Sequence, residues 1–81
     1  MRLAYTNKAL HALDQAPTQI RKAFYKQAGF LRDDLNHPSL RAKKYDEARD
    51  VWQARVNRDW RFYFRIVDDE YVIEDVMPHP K

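Results

Sequence analysis

Three arginines and a tyrosine cluster around one short segment, Arg55 and then Arg61, Tyr63 and Arg65, and His79 follows near the end of the sequence. A guanidinium grips phosphate oxygens in pairs and stays charged. An imidazole accepts and donates protons near neutral pH. Together these groups suit cleavage of a phosphodiester without a metal. Just before them, Arg41, Lys43 and Lys44 have the make-up of a clamp on a nucleic-acid backbone, because phosphate contacts supply most sequence-independent affinity.

Other chemistries lack their residues. There is no cysteine, which removes a thiolate zinc site, a thiol nucleophile and disulfides together. His11, His37 and His79 show no HxxxH or HxH spacing and have no carboxylate cluster beside them, so no metal and no cofactor are expected. No GxGxxG, P-loop or GxSxG motif occurs. General acid–base catalysis and electrostatic stabilisation remain.

The charge distribution agrees. Residues 36–65 hold eight Lys/Arg against four acids, whereas residues 66–81 hold five acids against Lys81. A basic middle is a candidate surface for a polyanion. The 81 residues suffice for a single domain, 1–81. No apolar run approaches the roughly 20 residues of a membrane span, and MRLAYTNKAL lacks the apolar core of a signal peptide. The expected setting is the cytoplasm, without membrane contact.

The elements that must position these residues follow from periodicity. RLAYT (2–6) reads as a short strand, with Thr6 as helix cap. Ala9, Leu10, Leu13 and Ala16 then recur at helical spacing up to Pro17. Thr18 is placed as the cap of a second helix, whose stripe is Ile20, Ala23, Phe24, Gln27, Leu31 and Leu35. Gly29, the only glycine, interrupts it; close packing against the neighbouring helix is one reason for a glycine there.

Residues 37–50 read as a polar loop anchored by Leu40. Three strands follow, at 51–57, 57–66 and 70–77, joined by short turns into an antiparallel meander. The fold class is α+β, with two helices on one face of a small antiparallel sheet. Alternation sends Trp52, Ala54, Trp60, Phe62 and Phe64 to the helices and Arg55, Arg61, Tyr63 and Arg65 to the other face. In the last strand neither alternate set is cleanly apolar. The favoured choice buries Val72, Glu74 and Val76, and puts Asp75 beside the arginines with His79 on the same side.

HPSLRAKK, followed by VWQARVNRDWRFYFRI and a terminal MPHPK, resembles the RelE/ParE superfamily of bacterial toxin–antitoxin toxins over essentially the whole length. The resemblance implies a microbial-RNase-like fold in the order β-α-α-β-β-β. It also implies a ribosome-dependent mRNA endonuclease in which a ribose 2′-hydroxyl attacks the adjacent phosphate and leaves a 2′,3′-cyclic phosphate. Arg61 would contact the scissile phosphate, His79 would act as general acid or base, and Lys43 and Lys44 would hold RNA or contribute a base. Arg55 would support the phosphate. Arg41 and Arg65 join the RNA-binding set by charge, and Tyr63 joins it by parity, as a stacking platform. The implied partners are a cognate antitoxin, the ribosome and mRNA, with Phe30 and Leu31 as candidates for the antitoxin seam. Two departures stand out: Pro80 and Lys81 follow His79 where some members carry a tyrosine, and the glutamate base of some relatives has no clear counterpart. A ParE-like inhibitor of DNA gyrase, or a degenerate toxin that only binds its antitoxin, are the alternatives.

Overall fold

Segment 70–77, whose alternate residues give no clean apolar face, resolves its conflict with one extra residue. The computed structural model describes residues 1–80. Its elements are β1 (Arg2–Tyr5), α1 (Asn7–Gln15), α2 (Thr18–Asp33), β2 (Lys43–Asp46), β3 (Val51–Arg55), β4 (Trp60–Val67) and β5 (Glu70–Pro78). Along β4 and β5, Phe64 pairs with Ile73 while the preceding Tyr63 pairs with Asp75, so Glu74 is skipped. Such a bulge reverses which alternate residues face inward. Before it Tyr71 and Ile73 are buried; after it Val76 is. The expectation that Val72 and Glu74 share the core with Val76 is therefore corrected for the first two: a strict period of two does not survive an inserted residue.

The sheet has five strands in the order β1-β5-β4-β3-β2. Three neighbouring pairs are antiparallel, but β1 lies parallel to β5. The sheet is thus mixed rather than antiparallel throughout, because the two helices carry the chain back before β5 closes against β1. Within the expected loop, KKYD pairs with β3 as an edge strand. Its lysines and aspartate blunt that edge in the manner of natural sheets.

The core lies between the helices and one sheet face. Phe24 of α2 meets Phe62 of β4 edge-on at 5.2 Å, and Leu13, Leu31, Leu40, Phe64 and Ile73 complete the cluster. Thr6 caps α1 by accepting from the Ala9 amide at 3.0 Å, and its hydroxyl donates to the Glu74 carbonyl at 3.2 Å, which ties the helix start to the bulge. Four details differ from the sequence reading. Leu10 is half exposed. Thr18 lies inside α2, where it accepts from Arg21 Nη2, and Pro17 takes the cap position. Leu31 is fully buried, and Phe30 stacks on His37 with ring centroids 3.9 Å apart. Leu31 therefore cannot form a seam for a partner, because the helix turns it into the core.

Gly29 does not mark a close approach, since a Cβ built there meets no heavy atom within 4 Å. Gly29→Ala is expected to raise the free energy of unfolding by about 0.5–1 kcal/mol. Urea titration of the two proteins measures this directly.

Candidate active site

The sheet face turned away from the helices carries the cations. Arg55 on β3 is paired across the ladder with Arg61 on β4. Placing like charges opposite each other costs stability. Arg41, Lys43, Arg55, Arg61 and His79, with Gln53 and Ala54 at the floor, line a depression of about 210 Å³. No carboxylate lines it. Among the described residues, none of Arg41, Lys43, Arg55 and Arg61 takes part in an ion pair. Several uncancelled positive charges in one hollow favour an anion.

Local structure fixes each of them. Arg61 Nη1 lies 2.8 Å from the Asn57 carbonyl, 3.0 Å from that of Trp60 and 3.3 Å from that of Arg58. The β3–β4 turn thus holds the guanidinium by neutral oxygens, which orient it without cancelling its charge. Asn57 Oδ1 in turn accepts from the Asp59 and Trp60 amides, both at 2.9 Å, and keeps the turn closed. The His79 amide donates to the Asp59 carbonyl at 2.7 Å. This bond extends the β4–β5 pairing by one residue and puts the imidazole on the Arg61 side.

Gln27 holds the other wall. Its buried carboxamide donates to the carbonyls of Ser39 (3.0 Å) and Arg55 (2.8 Å) and accepts from the Ser39 hydroxyl at 2.9 Å. The Arg55 amide donates to the Leu40 carbonyl at 2.8 Å. Helix, loop and strand are locked together, and Arg41 is delivered beside Arg55. Arg41 itself has φ 47°, a left-handed conformation that costs a residue with a Cβ about 1–2 kcal/mol. In the sequence Gln27 read only as a member of the apolar stripe; its signal was a polar residue in the middle of that stripe.

Three expected site residues are not brought into this hollow. Lys44 faces the helix side, because it pairs with Trp52; its ammonium sits 5.2 Å from the Trp52 ring centre and bonds to Asp50. That hydrogen bond raises the lysine pKa above its ordinary value and lowers that of Asp50, which is the wrong direction for a general base. Tyr63 is only 8% exposed, its hydroxyl accepts from Gln53 Nε2 at 3.2 Å, and β2 covers it with Tyr45. It therefore cannot present a stacking face; strand β2, read as loop in the sequence, is the reason. Arg65 lies four residues beyond Arg61, about 13 Å along β4, and faces Glu74 at 4.0 Å. Asp75 does not neutralise the arginines of the hollow: it pairs with Lys8 at 3.3 Å.

Gln27→Ala would orphan the Ser39 and Arg55 carbonyls and the Ser39 hydroxyl, and is expected to cost about 1–3 kcal/mol in urea unfolding. Arg41→Gly separates strain from charge. The variant should gain about 1 kcal/mol of stability, while its affinity for a polyanion such as heparin falls. Arg41→Ala should show the loss of affinity without the gain in stability.

No protein-family model and no curated protein sequence matches the chain. Solved structures do resemble it. The YoeB/ParE toxin from Agrobacterium tumefaciens superposes with a TM-score of 0.82 at 10% identity, covering 99% of this chain and 100% of its own. YafQ from E. coli gives 0.79 at 12%, covering 98% and 94%. The RelB–RelE antitoxin–toxin complex from Methanococcus jannaschii gives 0.77 at 17%, covering 93% and 88%. Two helices with a five-stranded mixed sheet in this order are the fold of the RelE/ParE-type toxins.

Proposed function

We propose that the protein is the toxin of a toxin–antitoxin pair and acts as an endoribonuclease on mRNA at the ribosome. The supporting observation is the acid-free hollow that gathers Arg41, Lys43, Arg55, Arg61 and His79. In this reading the ribose 2′-hydroxyl attacks the adjacent phosphorus, the bond to the 5′-oxygen breaks, and a 2′,3′-cyclic phosphate remains. Arg61, oriented by turn carbonyls, and Arg55, opposite it, take up the charge that grows on the phosphate oxygens. Fixed donors aimed at developing charge need no reorganisation during the reaction. His79, the imidazole that lines the hollow, protonates the departing 5′-oxygen. No carboxylate lines the hollow to take the 2′-hydroxyl proton, which passes to solvent water, so acceleration rests on charge stabilisation and on the leaving group. Arg41 and Lys43 hold flanking phosphates. Lys44 has no part in this, since it is turned to the other face and paired.

An antitoxin partner is supported by the RelB–RelE complex among the similar structures. Binding of the antitoxin over the hollow would silence the enzyme by excluding RNA.

Mapping 5′ ends in a purified translation system tests the proposal. The wild-type protein should cut mRNA at codon spacing. Arg61→Ala should lower the rate by about 10²–10³-fold, and His79→Ala by about 10²–10⁴-fold. Arg61→Lys should recover little, because a point charge cannot replace a planar fork. Absence of cuts together with inhibition of DNA supercoiling would assign the fold to gyrase poisoning instead.

A further inference from the structure

A second depression, of about 370 Å³, lies on the same sheet face as the cationic hollow, with Tyr45, Tyr63, Arg65, Glu74 and Asp75 among its lining. Tyr63 and Arg65 follow Arg61 at alternate positions of β4, which places them about 7 and 13 Å along the strand, within reach of an adjoining nucleotide. Its chemistry differs from that of the hollow. Lys8, Arg49 and Arg65 line it beside Glu74 and Asp75, with Lys8 paired to Asp75, so the depression carries charge of both signs where the hollow carries one. Tyr45 is 61% exposed, the most of any large apolar or aromatic side chain described. Its ring meets Tyr63 edge-on, 4.9 Å away at 64°, and Tyr63 is pinned by Gln53. A largely exposed ring held against a pinned neighbour can serve as a platform for stacking.

The two acids are not equivalent. Asp75 is occupied: Oδ1 accepts from the Val76 amide at 2.9 Å and Oδ2 pairs with Lys8 at 3.3 Å. Glu74, the bulge residue, meets Arg65 only at 4.0 Å, too far for a good hydrogen bond. A part-exposed carboxylate thus stands beside a part-exposed guanidinium in the depression that Tyr45 also lines. Guanine has the matching edges, two parallel N–H donors (N1 and N2) for a carboxylate and two acceptors (O6 and N7) for a guanidinium fork. Adenine and uracil offer neither kind of pair, and cytosine has no pair of donors.

We propose, resting on the RNA reading given above, that the depression between Tyr45 and Glu74 takes a base next to the scissile phosphate and prefers guanine. Tyr45 stacks on the base, Glu74 binds N1–H and the N2 amino group, and Arg65 binds O6 and N7.

The test uses short single-stranded RNAs that carry a 2′-O-methyl group at every position, to block cleavage, and differ in one base. Binding is followed by NMR shifts of the full-length protein, which register millimolar affinity. The sequence with guanine should bind about tenfold more tightly than the others, the order expected for one bidentate pair, and inosine, which lacks the N2 amino group, should lose most of that advantage. Glu74→Gln should erase the preference and leave the other three sequences unchanged. Tyr45→Ala should weaken all four alike, by about fivefold or more. Equal binding of the four sequences that still depends on Arg61 would overturn the guanine pocket alone. Unchanged affinity in Tyr45→Ala would overturn the platform. Loss of all oligonucleotide binding, or binding indifferent to Arg61→Ala, would bring down the pocket together with the RNA reading.

Discussion

A single buried carboxamide joins helix α2 to both segments that form one wall of the cationic hollow. Gln27 spends three hydrogen bonds on Ser39 and Arg55, and the Arg55 amide completes the link through Leu40. Leu40 is itself fully buried, so the loop is held by an apolar anchor and a polar one side by side. Without this lock, two chain segments bearing like charge would be free to separate, and repulsion would favour their doing so. The lock opposes electrostatics with buried hydrogen bonds, which are strong where water is excluded.

The same opposition runs through the opposite wall. Arg55 and Arg61 face one another across the ladder, an arrangement that sequence optimisation for stability would remove. It persists with neutral partners: the turn carbonyls of Asn57, Arg58 and Trp60 orient Arg61 and leave its charge intact. The acids of the C-terminal region go elsewhere, Asp75 to Lys8 and Glu74 towards Arg65. A folded chain thus separates its face into an acid-free hollow and a mixed-charge depression, although the two are built from the same strands. Stability given up at a site in this way is the usual signature of a surface kept for a ligand.

Two short features produce that separation. The bulge at Glu74 shifts the register so that Glu74 and Asp75 both line the outer depression while Ile73 and Val76 stay buried. Strand β2 adds Lys43 to the hollow, turns Lys44 to the opposite face and lays Tyr45 over Tyr63. Neighbouring lysines that look equivalent in the sequence acquire different surroundings, because successive residues of a strand point to opposite sides.

The sequence by itself determined the local order: a strand, two amphipathic helices and a meander whose β4 segment alternates arginine with aromatic residues. It also determined that Arg55 and Arg61 share a face, since parity along a strand is a local property; the side taken by His79 waited on the bulge and on the pairing of its amide with Asp59. What only the tertiary structure decided was non-local. The pairing of β1 with β5, the recruitment of a polar segment as an edge strand, the inserted Glu74 and the burial of Gln27 all depend on partners distant in sequence. Periodicity records which way a side chain points relative to its neighbours along the chain; it carries no record of what lies opposite, and that is what separates Lys43 from Lys44 and Tyr45 from Tyr63.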